Sequence, residues 1–175
     1  MNIQYRQESV WIGIDVGTTG VRAIAYDITG RKVAAAEAFY PLLTPHPNWA
    51  EENPAQIFSA VQEVVGKAAA DLRYKSRQLA GISLSTVMHS FAGLDANYQP
   101  LMDMQTWADS RSAEIVREMK TDEDLCHRFY EKTGCPIHAS YPLAKVLWLR
   151  KNHPDLFRQM RYVGSLKDYI FYGLT

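Results

Sequence analysis

The chain has 175 residues, 47% of them hydrophobic, with 19 basic and 19 acidic side chains and a formal net charge of zero. That length suits one domain with a buried core. The balanced charge gives no electrostatic footing for nucleic acid or an anionic membrane, and no apolar run approaches the ~20 residues of a membrane span. The polar opening M-N-I-Q-Y-R-Q-E-S lacks the apolar centre of a signal peptide. Cys126 and Cys135 fit no metal spacing and read as reduced core or surface thiols. The expected location is the cytoplasm.

In chain order, apolar runs over 10–15 and 21–26 read as strands joined by the turn Gly17-Thr18-Thr19-Gly20. Asp27-Ile28-Thr29-Gly30 makes the next turn and a third strand follows over 32–40, an antiparallel meander. A proline-rich loop covers 41–54. Asn53-Pro54 starts a helix, with Asn at the cap and Pro at the first helical position. Ile57, Val61, Val64, Ala68 and Leu72 form its apolar stripe, at steps of three and four. Residues 79–84 read as a buried strand, with 90–94 pairing near it, and 95–97 as a turn. Helices are expected over 110–120, 122–132, 142–151 and 154–160, then a short strand over 162–164 and a last helix over 166–172. The fold class is α/β: a mixed sheet, antiparallel meander plus parallel strand, flanked by helices.

Chemistry concentrates where strands give way to small polar residues. In W-I-G-I-D-V-G-T-T-G-V-R, residues 11–22, glycines permit close backbone approach and positive φ. Threonine hydroxyls beside backbone N–H groups suit an anion. A carboxylate, Asp15, at the same tip suits a phosphate when a cation lies between them, so the local chemistry reads as phosphate plus Mg²⁺. The competing reading is a plain turn, with Arg22 a solvated strand arginine. Neither the dinucleotide pattern G-x-G-x-x-G nor the P-loop pattern G-x-x-x-x-G-K-[ST] occurs. Downstream, Trp49-Ala50-Glu51-Glu52 precedes the helix start, where Glu52 suits the helix dipole. Ser83 to Ser90, S-L-S-T-V-M-H-S, runs from a strand into Met88 and His89. Residues 106–112, T-W-A-D-S-R-S, combine Trp107, Asp109 and Arg111: an aromatic face with charged groups suits a polyol, while a helix cap at Asp109 or Ser110 and an internal ion pair at Arg111 are the plain alternatives. Thr133-Gly134 ends a helix on a left-handed glycine. The spacing from Lys145 to Phe157 is explained by core packing, and no site is assigned there.

G-I-D-V-G-T-T-x-x-R resembles the first phosphate motif of the actin-like ATPases, and specifically of the FGGY carbohydrate kinases. The W-x-E-x-x-P, M-H-S, T-W-A-D-x-R-S, T-G-x-P-I-H and K-x-x-W-L stretches follow in the order found in that family. The resemblance covers residues 10–175 and implies a ribonuclease H-like domain. It implies that Asp15 serves Mg²⁺, that Gly17, Thr18, Thr19 and Arg22 approach the phosphates of ATP, and that Met88, His89, Trp107, Asp109 and Arg111 face the sugar. Within the family the wording is most similar to gluconate kinases, with Arg111 a candidate partner for the sugar-acid carboxylate. Xylulose kinase is the alternative within the class; a non-catalytic actin-like sugar- or nucleotide-binding domain is the alternative outside it. Partners are then a small sugar acid and ATP, with neither nucleic acid nor membrane, and a homodimer is compatible with the full-length enzyme. The resemblance places the catalytic aspartate and a C-terminal domain beyond Thr175. The expected organisation is therefore a polar segment over 1–9 and a kinase N-terminal domain over 10–175, inactive alone.

Overall fold

The computed structural model describes residues 8–74 and 77–175, so the polar segment expected over 1–9 lies mostly outside the described residues. In chain order the elements are β1 (Ser9–Val16), β2 (Gly20–Asp27), β3 (Lys32–Phe39), β4 (Glu51–Glu52), α1 (Pro54–Tyr74), β5 (Gln78–Thr86), β6 (Ala92–Leu94) and β7 (Met104–Gln105). There follow α2 (Ala113–Met119), α3 (Glu123–Thr133), α4 (Pro142–Asn152), α5 (Pro154–Gln159), β8 (Tyr162–Gly164) and α6 (Leu166–Leu174). They gather into two compact units. One takes the chain up to Pro41, Pro54–Val87 and Gly173–Thr175; the other takes Leu42–Asn53 and Met88–Tyr172.

The first unit is a four-stranded sheet in the order β3-β2-β1-β5. The meander pairs antiparallel, and β5 lies parallel to β1, with Ile12 opposite Ile82. Strand side chains alternate between faces. Val10, Ile12, Ile14 and Val16 of β1 and Val21, Ala23 and Ala25 of β2 are therefore buried, while Gly13, Asp15 and Arg22 stand exposed on the opposite face. Helix α1 covers the sheet with the expected stripe: Ile57, Val61, Val64, Ala68 and Leu72 are all buried. It lies chiefly over β2 and β3. This explains one departure from expectation. β5 forms where the sequence places a strand, but it is not buried: Leu79 is 41% and Ile82 45% exposed. It sits at the margin of the sheet with β1 as its neighbour, and α1 lies mainly over the other side.

The second unit has its own pairings. β6 does not pair near β5 as expected; Ala92–Leu94 run antiparallel to β8, with Gly93 opposite Val163. β4 and β7, two residues each and unforeseen, pair Glu51 with Gln105 and Glu52 with Met104. So short a pairing carries no periodicity to detect. The helices fall where expected. Asp122 caps α3 by accepting from Leu125 N at 2.8 Å, and Gly134 ends it at φ 69°. Val116, Ile137 and Ala144 make a small core, with Cys126 and Phe129 against it. Cys126 and the exposed Cys135 are both free thiols. Among the described residues no helix is long and apolar enough to cross a membrane.

Ile57 is 1% exposed at the start of the α1 stripe. Ile57→Ala should cost about 2–5 kcal/mol, read as a lower urea midpoint with an unchanged slope.

Candidate functional site

The β1–β2 hairpin is closed by Gly17 N, which donates to Gly20 O at 2.9 Å. Neither glycine needs positive φ, contrary to expectation; among the described glycines Gly30 and Gly134 have it. Close approach is what Gly20 provides, since a Cβ there would meet Ala38 O at 2.9 Å and the Phe39 ring at 3.0 Å. The turn is tied from below by Tyr40. Its N–H donates to Thr19 O at 3.2 Å, and its hydroxyl lies 2.6 Å from Gly17 O and 3.1 Å from Gly20 O. In register across three strands stand Asp15, Arg22 and Glu37, and Arg22 Nη2 donates to Glu37 Oε2 at 3.2 Å. Asp15, Gly17, Thr19, Gly20, Arg22 and Glu37 line a hollow of about 170 Å³, joined by Phe39, whose ring is 77% exposed. Sequence reading missed Glu37, Phe39 and Tyr40. Period-two alternation along the third strand was the available signal for the first two.

In the second unit, Met88 and His89 form the turn that follows β5, with Met88 69% exposed. His89 takes the left-handed conformation, φ 61°, a region that costs a side-chain-bearing residue about 1–2 kcal/mol. Its ring lies 4.9 Å from that of Tyr141, and Tyr141 lies 5.8 Å from His138. Beneath this row Lys145, fully buried on α4, donates to His89 O at 2.8 Å and Thr106 O at 2.6 Å. Burial lowers its pKa to about 8; nearby Asp109 pulls the value up and Arg111 pushes it down. Trp107, half exposed, follows Thr106 directly. In the sequence Tyr141, His138 and Lys145 have no role of their own, although His138 closes the T-G-x-P-I-H stretch and Lys145 opens the K-x-x-W-L stretch. Lys145 stands four residues before the buried Leu149, so helical spacing already placed it on the inner face.

Asp109 and Arg111 are held differently. Arg111, its side chain 3% exposed, donates through Nε and Nη2 to both Asp109 oxygens and through Nη2 to Glu51 Oε1 at 2.6 Å. Its guanidinium lies 3.5 Å from the centre of the Trp49 ring, which meets Trp148 edge-on at 5.6 Å. Asp109 also accepts from Ala50 N at 2.8 Å. Neither Asp109 nor Ser110 caps α2, as the sequence suggested: the cap position is Ser112, whose hydroxyl donates to Ala139 O instead. The internal ion pair is therefore the state of Arg111, and its Nε and Nη2 donors are taken up within the fold. Glu52 contrasts with it. It is fully buried in β4, neither of its oxygens has a hydrogen-bond partner, and desolvation raises its pKa from 4.5 to about 7.

Residues 10–175 match the model of the FGGY family of carbohydrate kinases, N-terminal domain. The chain belongs to the FGGY family of carbohydrate kinases. It is 37% identical over 164 residues to a gluconokinase of Bacillus licheniformis, an alignment covering 93% of this chain and 31% of the relative. Among solved structures it resembles a gluconate kinase from Lactobacillus acidophilus, with 38% identity and TM-score 0.85 over 94% of this chain and 32% of that one. A xylulose kinase from the same organism stands level, with 37% identity and TM-score 0.86 over 94% and 33%. The chain thus spans about a third of the length of the relatives it matches.

For an FGGY chain the two clusters have distinct chemical capacities. Among the described residues no group of three or more His, Cys, Asp or Glu is placed to hold a metal. An exposed carboxylate beside a turn nevertheless fits Mg²⁺, which keeps several waters and shares phosphate oxygens with one or two carboxylates. Asp15 answers that description. The Met88–His89 turn and Trp107, on segments that Lys145 joins, offer a thioether, an imidazole and an indole, suited to the apolar and hydroxyl surfaces of a polyol.

Replacing Arg111 by Met would leave Asp109 and Glu51 as buried carboxylates without their cation. Arg111→Met should cost about 3–5 kcal/mol, read by denaturant unfolding, and Arg111→Lys should recover only part of it because a point charge cannot serve two carboxylates bidentately. Glu52 supplies a pH test. Its folded pKa is raised above the unfolded value, so its contribution is complete below about pH 4.5 and lost as pH rises through about 7. From pH 5 to 8 wild-type stability should fall relative to Glu52→Gln by up to ~3 kcal/mol.

Proposed function

We propose that this chain is the N-terminal part of a gluconate kinase, transferring the γ-phosphoryl group of MgATP to the terminal hydroxyl of D-gluconate. The observation that carries the reading is the Met88-His89-Ser90 turn directly after β5. It is worded as in gluconate kinases, in a chain 37–38% identical to a gluconokinase and a gluconate kinase. Ligands of open α/β sheets gather beyond the carboxyl ends of the strands, where this turn lies. The xylulose kinase reading stays beside it because the structural likeness to such an enzyme is equal.

Phosphoryl transfer needs charge neutralised on the β- and γ-oxygens and the acceptor held in line. Mg²⁺ supplies the neutralisation when bound with the nucleotide. Asp15 would hold it at the hairpin tip, and Gly17, Thr18 and Thr19 would present the turn to the phosphates. Arg22 would meet phosphate oxygens by leaving Glu37, an exposed pairing of low strength. Met88, His89 and Trp107 would orient the sugar. Asp109 and Arg111 contribute by building the loop that carries Trp107. Of the two readings open for Arg111, this mechanism uses the internal ion pair, because Asp109 and Glu51 hold its Nε and Nη2.

Calorimetric titration of the full-length protein with D-gluconate, D-xylulose and glycerol should show the tightest binding for gluconate; preference for xylulose would transfer the assignment. Asp15→Asn should lower kcat at least a hundredfold and weaken the Mg²⁺ dependence of nucleotide binding while leaving sugar affinity unchanged.

A further inference from the structure

The buried ammonium of Lys145 stands outside every role assigned above. It bonds two main-chain carbonyls, and both belong to the sugar-facing cluster: His89 O at 2.8 Å and Thr106 O, next to Trp107, at 2.6 Å. The two segments meet close by, where Phe91 and Gln105 exchange both backbone bonds, at 2.9 and 2.8 Å. That exchange is a single bridge, after which the chain turns through Met88–His89 on one side and Thr106–Trp107 on the other. Where a ladder stops inside a protein, its carbonyls still require donors. An ammonium carries three, on a flexible stem that reaches past the helix surface. The first unit's hairpin is tied by Tyr40; this cluster is tied by Lys145.

We propose that Lys145 is a positioning residue: by holding the carbonyls of His89 and Thr106 together, it sets the backbone from which the His89 imidazole and the Trp107 indole reach the sugar. This rests on the reading that those two side chains orient the substrate. The left-handed backbone of His89 supports it, since a residue at φ 61° keeps that conformation only where its surroundings hold it there. Charge strengthens both bonds, and with a pKa of about 8 the side chain is a cation at neutral pH. Ser90 reinforces the same turn, its hydroxyl accepting from Leu166 N at 2.9 Å.

The test uses Lys145→Met, which keeps an unbranched apolar stem without donors, Lys145→Arg, which keeps donors, and His89→Ala, all in the full-length protein. Lys145→Met should raise KM for D-gluconate about tenfold or more with KM for ATP within twofold of wild type, and shift the amide resonances of His89, Ser90 and Trp107. Lys145→Arg should recover a substantial part of the gluconate KM. A folded Lys145→Met with gluconate KM within twofold of wild type, or equal rises in both KM values, would overturn the proposal. If Lys145→Met does not fold, Lys145→Gln is judged by the same split. His89→Ala separates the two ideas. Unchanged gluconate KM in His89→Ala sinks the substrate-orienting reading itself; a raised KM there with none in the Lys145 variants sinks only the positioning role.

Discussion

One guanidinium organises the segment that precedes α1 and the loop that precedes α2. Arg111 binds Asp109 beside it in sequence and Glu51 sixty positions earlier, with Trp49 against its face. Around that cation the backbone closes: Ala50 N donates to Asp109, Thr106 N to Ala50 O, and Ser110 N to Asn48 O. The two-residue pairing of β4 with β7 is too short to persist by its own hydrogen bonds. It is stable because a buried charge needs both carboxylates where they are. Trp107, half exposed, projects from the loop this charge holds.

Glu52 and Asp109 show how neighbours rather than burial decide the state of a carboxyl group. Both side chains are removed from water. Asp109 has a guanidinium and a backbone N–H at its oxygens and belongs to an ion pair. Glu52, one residue from Glu51, has neither, and desolvation alone acts on it, favouring the neutral acid below about pH 7. Lys145 is the cationic counterpart, stripped of water but supplied with two carbonyl acceptors.

What could be read from the sequence was what is local and periodic. The α1 stripe, the meander, the Gly134 cap and the hairpin with Asp15 follow from spacing over a few residues, and all are present. What could not be read depends on partners far apart. Arg111 had two open readings because nothing near it in sequence announces Glu51. Lys145 looked like core spacing, and it is on the core side of α4, but its two acceptors lie 39 and 56 positions away. β5 was readable as a strand and misread as buried, because an apolar run reports the residues of a strand and not how many neighbours cover it. The candidate site was thus legible as residue types and not as placements: Arg111 stands in an internal ion pair with Asp109 and Glu51, while Tyr141, whose ring lies against His89, carried no motif of its own.

Tyr40 gives the hairpin a property that its glycines alone would not. A glycine-bounded turn is ordinarily supple, and an anion that binds such a turn must first bring it to order. Here the phenol hydroxyl, beneath both ends of the turn, and a backbone bond to its middle hold one shape before any ligand arrives. On the reading proposed for this hairpin the turn would be a preformed cradle, and association with it would require no conformational search. For a phosphate bound as proposed above, selectivity would then be one of fixed geometry, in which a badly shaped oxyanion is refused rather than accommodated.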